Sequence, residues 1–368
     1  MVSSNHKILI HDSRSLSEIV EPDSIDLVVT SPPYPMIQMW DELFFKMNTD
    51  IQKILEQNPS LAFELMNQEM DKVWESLYHS IKDGGFLIIN IGDATRTING
   101  DFQLFSNHAR IIQKCLQLDF KNLPNILWRK QTNAPNKFMG SGMLPAGAYV
   151  TLEHEYILIF RKGTKKNFNN KQKDIRRESS YFWEERNIWF SDIWEDVKGT
   201  KQLIKNTETR NRSAAYPFEL VYRLINMYSC KGDTVLDPFW GTGTTTLAAI
   251  ASERNSIGIE LEPYFKKEFL ENTDSYKNSL NEYLHKRIEK HREFVKNRLE
   301  SGKEIKHHND KMNFPVMTSQ EKELIINEVE SIQNNDDIEV KYSELLNTPT
   351  YNFPNGNGKK KEKELTLF

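Results

Sequence analysis

Cysteine is almost missing from this chain: Cys115 and Cys230 are the two in 368 residues, and neither sits in a CxxC or Cys/His ligand spacing. A disulfide framework and a structural zinc are therefore excluded as organising devices, and a reducing cytoplasm is the expected setting. Long apolar runs are missing too. No stretch approaches the roughly 18–20 residues that cross a bilayer, and Met1–Lys7 lacks the apolar core of a secretory signal, so no membrane role is expected. Positive charge is not in excess, because 48 Lys and Arg face 52 Asp and Glu for a net charge of -4. That argues against a uniformly basic nucleic-acid binder and leaves any such partner to be met by local charge. There is no internal repeat, and no metal site is expected, since His307-His308 reads as a solvated pair.

What the chain does contain is an alternation of strands and helices. Lys7–Ile10 reads as a short strand, Ser15–Val20 as a brief helix and Ile25–Thr30 as a second strand. Both faces of these strands are apolar, as in a parallel sheet covered on both sides. From Ile37 to Ile81 apolar residues recur at three- and four-residue spacing (Trp40, Leu43, Phe44 and Met47, then Val73, Leu77 and Ile81), which predicts helix divided at Pro59. Phe86–Ile91 predicts a buried strand, His108–Leu118 a helix, and Asn125–Trp128 with Tyr156–Phe160 a late antiparallel pair. The loop between that pair, Arg129–Ala148, is long, polar and rich in Gly, a profile of functional or disordered segments. Lys162–Ser213 is basic and aromatic, with Trp189, Phe190 and Trp194 expected to form a small core. A helix from Pro217 to Tyr228, a strand Thr234–Leu236, a helix Thr246–Glu253 and a strand Ser256–Glu260 form a second β-α-β unit. Beyond Phe265 two charged helices are expected, Lys266–Glu300 and Ser319–Glu330.

Two stretches carry chemistry. Val28-Val29-Thr30-Ser31-Pro32-Pro33-Tyr34 delivers a hydroxyl, two rigid prolines and an aromatic ring to the end of a buried strand, a combination that grips a flat group bearing an exocyclic amine. About 200 residues later comes Asp237-Pro238-Phe239-Trp240-Gly241-Thr242-Gly243-Thr244-Thr245. A strand ending in Asp, a turn with Gly241 and Gly243, and then a helix make a nucleotide-binding arrangement, because glycine allows close approach and the helix start offers free N–H groups. Glu260, closing the next strand, is placed to grip ribose hydroxyls. The turn has neither the Lys of a phosphate-cradling loop nor a GxGxxG pattern. A ligand with ribose and no polyphosphate fits, and S-adenosylmethionine is the candidate.

The two stretches together, in this order and separated by a variable segment, resemble the amino-group DNA methyltransferases of the β arrangement, in which the catalytic motif precedes the cofactor motif. The likeness spans about Lys7–Phe265. It also takes in Asn90-Ile91-Gly92-Asp93, Ala214-Ala215-Tyr216-Pro217 before an amphipathic helix, and Asp12 at the end of the first strand. The resemblance implies an α/β, Rossmann-like S-adenosylmethionine-dependent fold: a mixed seven-stranded sheet with helices on both faces and an antiparallel β-hairpin. A catalytic domain is expected over residues 1–265, with a target-recognition insertion at about 162–213. A helical C-terminal region at 266–350 and a disordered tail at 351–368 follow.

By the same resemblance Ser31, Pro32, Pro33 and Tyr34 are the catalytic residues. Asp12, Thr30, Tyr216, Pro217, Asp237, Phe239, Gly241, Thr242, Gly243, Thr244 and Glu260 are cofactor residues. Duplex DNA is the expected partner, contacted by Lys130, Lys137, Lys165, Lys166, Arg176, Arg177, Arg210 and Arg212. A cognate restriction endonuclease is the further partner, and the chain is expected as a monomer or dimer. The target base must leave the helix stack to expose its amine. Tyr34 then stacks on it, while the Ser31 hydroxyl and Pro32 carbonyl orient the nitrogen. Methylation of cytosine carbon 5 is disfavoured, because Lys114 and Ser229, not proline, precede the cysteines. Ser31 at the head of the motif favours cytosine N4 over adenine N6, which remains the alternative. A non-catalytic nucleic-acid-binding protein with a cofactor pocket is the more distant one.

Overall fold

The computed structural model describes residues 2–130, 144–147, 149–198, 216–334 and 337–345. Among the described residues no helix is long and apolar enough to cross a membrane. In chain order the strands are β1 (Val2–Ile10), β2 (Ile25–Thr30), β3 (Ile81–Ile91), β4 (Ala94–Ile98), β5 (Asp101–Phe105), β6 (Phe120–Asn122), β7 (Ile126–Arg129) and β8 (His154–Lys162). They continue with β9 (Ile193–Trp194), β10 (Thr234–Asp237), β11 (Asn255–Glu260), β12 (His307–Asn309), β13 (Phe314–Val316), β14 (Asn327–Asn334) and β15 (Ile338–Glu344).

One 11-stranded sheet carries the fold, in the order β14-β15-β1-β11-β10-β2-β3-β8-β7-β9, with β6 also paired to β8. Its centre is the expected seven-stranded unit. β1, β11, β10, β2 and β3 are mutually parallel, and β8 and β7 add the antiparallel hairpin. Alternate residues of β2 serve opposite faces. Val28 packs with Met66, Val73, Trp74 and Leu77 of the helix Pro59–Ser80. Leu27 and Val29 pack with Leu220, Leu224 and Ala248 of the helices Phe218–Tyr228 and Thr244–Ala251. Burial on both sides explains the unbroken apolar run of this strand. The Ile37–Ile81 stretch resolves into three helices, Asp41–Met47, Thr49–Ile54 and Pro59–Ser80. Pro59 opens the third, with Asn58 as its cap accepting from the Leu61 N–H.

Three expectations need correction. The region 266–350 is not all helix. The helices Pro263–Glu271 and Thr273–Glu300 are present, but Ser319–Glu321 is a single 3-10 turn and the rest forms the hairpins β12–β13 and β14–β15. Ile338, Val340 and Tyr342 are buried between polar neighbours, a period of two that belongs to a strand. A boundary at residue 265 does not separate two bodies either, because β15 pairs antiparallel with β1 and widens the same sheet. Buried His6 and Ser4 stitch that junction: His6 Nε2 lies 2.7 Å from Ser4 Oγ, His6 Nδ1 lies 2.8 Å from Ser256 Oγ, and Ser4 Oγ lies 2.7 Å from Tyr342 Oη. Finally, Trp189 and Trp194 are core as expected, but Phe190 is 45% exposed. The tail at 351–368 lies outside the described residues.

Candidate active site

In an open parallel sheet, ligands bind beyond the carboxyl ends of the strands, where the crossover direction reverses. Here that point lies between β10 and β2. The connection from β2 leads through helices to β3 on one side, and that from β10 leads to β11 on the other. The two chemical stretches therefore end side by side. Thr30 Oγ1 donates to Asp237 Oδ1 at 2.7 Å. The same carboxylate accepts from the Thr245 hydroxyl at 2.5 Å, the Phe239 N–H at 3.0 Å and the Tyr216 hydroxyl at 3.2 Å. Burial pushes the Asp237 carboxyl up, against these hydrogen bonds, which favour its ionised form.

Beyond this junction lies a cavity of about 220 Å³. Ser31, Pro32 and Pro33 line it together with Phe239, Gly241, Thr242 and Thr244, and Asp12, Glu260 and Tyr216 join them. The turn follows from its glycines. Gly241 and Gly243 have φ of +53° and +84°, and a Cβ on Gly243 would lie 2.5 Å from the Phe269 ring. Glu260 binds the turn directly, accepting from Gly241 N–H at 2.8 Å, and burial pushes its carboxyl up. Burial also acts on Asp12 in that sense, but hydrogen bonds from the Arg14 side chain and backbone outweigh it and hold the carboxyl low.

Thr30, Asp237, Gly243 and Pro217 do not line the cavity; they hold the residues that do. Trp40, Leu43, Met47 and Phe265 also line the cavity and form an apolar set that was not read as functional from sequence. Its apolar spacing is indistinguishable from that of an ordinary core helix. Four carboxylates (Asp12, Glu42, Glu260 and Glu262) line the cavity against two cations, Arg14 and Lys46. Arg14 is itself paired with Asp12 and Glu69 at 2.7 Å each. An acidic, partly apolar cavity suits a cationic nucleoside and offers little to a polyphosphate.

Tyr34 stands beside this cavity. Its hydroxyl donates to Glu155 Oε2 at 3.0 Å, accepts from Asn90 Nδ2 at 3.0 Å and lies 3.1 Å from Ser31 Oγ. Burial, then the Glu155 charge, push the phenol well above its ordinary value. Gly92 admits the ring, since a Cβ there would lie 3.0 Å from Tyr34 Cε2. Neither Glu155 nor Asn90 was singled out as catalytic from sequence.

The basic candidates divide by position. Lys130 follows β7 at the catalytic end of the sheet and donates to Glu155 Oε1 at 2.7 Å. Lys166 lies at the other end, paired with Asp26 at 2.9 Å and Asp233 at 3.4 Å, at the starts of β2 and β10. The helix Asn170–Glu178, with Arg176 and Arg177, follows it there, because Ser179 Oγ accepts from the Lys231 N–H just before β10. Lys165 is exposed beside Lys166. Lys137, Arg210 and Arg212 lie outside the described residues.

A DNA methylase family model of the N6/N4 type matches residues 25–272. The type II methyltransferase M.MthZI of Methanothermobacter thermautotrophicus is 48% identical over 326 residues, covering 88% of this chain and 90% of that protein. M.MjaI of Methanocaldococcus jannaschii, also a type II methyltransferase, is 50% identical over 277 residues, covering 72% and 90%. Among solved structures, TTHA0409 of Thermus thermophilus in complex with S-adenosyl-L-methionine superposes with a TM-score of 0.57 at 29% identity, over 75% of this chain and 94% of that one. The side-by-side motifs, the acidic cavity and these matches lead to one assignment: the chain belongs to the N6/N4 DNA methylase family.

Proposed function

We propose that this chain methylates the exocyclic N4 amine of cytosine in duplex DNA, as the modification component of a type II restriction–modification system. S-adenosylmethionine is the methyl donor: Glu260 and Asp12 are suited to its hydroxyl and amino groups and Phe239 to its adenine. When bound it supplies a methyl group already activated by the positive sulfonium. The observation that carries the reading is the placement of Ser31, whose side chain lines the donor cavity at the carboxyl end of β2 with Tyr34 beside it. An exocyclic amine is a weak nucleophile because its lone pair delocalises into the ring. Hydrogen bonds from the amine to the Ser31 hydroxyl and Pro32 carbonyl favour a pyramidal nitrogen aimed at the methyl group.

Phosphate contacts near the extruded base fall to groups at the catalytic end of the sheet, such as Lys130 and exposed Lys198, which follows Val197, whose carbonyl accepts from Trp128 Nε1 near the end of β7. Lys165, Arg176 and Arg177 would meet DNA only as a more remote surface. The test is methylation of duplex DNA followed by nucleoside analysis. N4-methylcytosine is expected, and N6-methyladenine as the sole product would overturn the cytosine assignment.

A further inference from the structure

Glu155 is a carboxylate in an inner position, 8% exposed, at the second residue of β8. β8 runs antiparallel to β3, with Tyr156 opposite Ile91, so its start lies at the catalytic end of the sheet. A buried carboxylate is costly unless its lone pairs are used, and here they are. Lys130 Nζ donates to Oε1 at 2.7 Å. Asn90 Nδ2 donates to Oε2 at 2.7 Å, and the Tyr34 hydroxyl donates to the same oxygen at 3.0 Å. With its single proton committed to Glu155, Tyr34 can only accept from Ser31, 3.1 Å away. Ser31 therefore donates inward, and its lone pairs are left to accept from whatever occupies the cavity.

This polarity matches a requirement of amine methylation. A nitrogen that has gained a methyl group carries a positive charge and must release one N–H proton. Building on the function proposed above, we infer that Ser31, Tyr34 and Glu155 form a relay that takes this proton, with Glu155 as its acceptor. The substrate N–H bond breaks and its electron pair stays on nitrogen. The proton joins Ser31 Oγ, the Ser31 proton passes to Tyr34, and the Tyr34 proton passes to Glu155 Oε2. The cationic amine becomes neutral as the carboxylate becomes a neutral acid, so charge balances. Asn90 orients the relay without joining it, because an amide takes no proton at these pH values. Lys130, its side chain 45% exposed, links the carboxyl to solvent for the return of the proton.

Ser31 meets the substrate in this scheme, while Glu155 takes the proton only through Tyr34 and Ser31. The test compares Glu155→Gln, Tyr34→Phe, the double variant and Glu155→Asp in the full-length protein. Single-turnover methyl transfer to duplex DNA is measured, with cofactor affinity by calorimetry and base extrusion by 2-aminopurine fluorescence at the target position. Glu155→Gln and Tyr34→Phe should each slow transfer by about 100-fold, the scale of acid–base assistance. KM for DNA, cofactor affinity and fluorescence should stay within about twofold. The double variant should be no slower than either single one, since both cut the same path, and Glu155→Asp should recover part of the rate. A Tyr34→Phe variant at full rate, or losses that multiply in the double variant, would overturn the relay. If Glu155→Gln loses cofactor affinity through misfolding, Tyr34→Phe decides alone. Failure of the wild type to methylate DNA would instead remove the parent function.

Discussion

Thr30 and Asp237 are 207 residues apart in sequence and 2.7 Å apart in space, hydroxyl to carboxylate. This bond ties the last residue of the strand that carries Ser31 to the last residue of the strand that carries the cofactor turn. Substituting Thr30→Val keeps the shape and deletes the donor. The loss should cost about 1–3 kcal/mol, the penalty for an undersatisfied buried acceptor, and weaken cofactor binding several-fold. Urea unfolding and calorimetry check both, and no change in either would mean that the two motifs are not mechanically coupled.

Ser31→Ala removes one hydroxyl from the cavity wall and leaves Glu260, Asp12 and the glycine turn untouched. Single-turnover transfer should fall by roughly 10²–10³, as when one preorganised polar group is deleted, while the cofactor dissociation constant stays within about twofold. Tyr34→Ala should likewise lose most turnover and keep cofactor binding.

Gly258 in β11 makes room for Trp240. A Cβ there would sit 2.1 Å from the indole Cδ1, and Trp240 backs the cavity with its Nε1 donating to Thr246 Oγ1 at 2.8 Å. Gly258→Ala should therefore destabilise by about 1–3 kcal/mol through overpacking and reduce cofactor affinity, read by thermal unfolding with and without the cofactor.

The pieces of this site that turn the chain were legible in the sequence. Gly241, Gly243, Pro32 and Pro33 are residues whose backbone preferences act locally, and Asp237 and Glu260 mark strand ends. What could not be read depends on which chain segments meet. Glu155 is one acid at the head of an apolar strand, and nothing local says that Tyr34 lies against it. The charge pattern of Lys165–Arg177 does not state at which end of the sheet it lands, and the Lys166 pairs with Asp26 and Asp233 bridge segments 140 and 67 residues away. The alternation of Ile338, Val340 and Tyr342 was visible in the sequence.

His6 supplies a pH dependence remote from the catalytic groups. Full burial lowers its pKa from 6.5 to about 3, so the folded state holds it neutral while the unfolded chain protonates it. The depressed value means that its contribution is whole above about pH 6.5 and is lost progressively as pH falls toward 3. The loss is roughly 1.4 kcal/mol per pH unit once well below 6.5. His6→Gln should be less stable at pH 7 by about 1 kcal/mol, the worth of one hydrogen bond, but its stability should fall less steeply toward pH 5. Melting temperatures at both pH values measure this, and parallel slopes would discharge His6 from the role.

The placement of β1 has a consequence for how the protein is made. β1 is made before every other strand of its sheet, yet its two neighbours are β11, about 250 residues later, and β15, later still. Until β11 is made it has no partner on either side, and its backbone N–H and C=O groups are open to pairing with other chains. Loop closures of this length make folding slow and dependent on distant contacts. A nascent chain stalled before residue 338 can assemble the catalytic half and the cofactor half, but it leaves this edge uncovered and prone to aggregation.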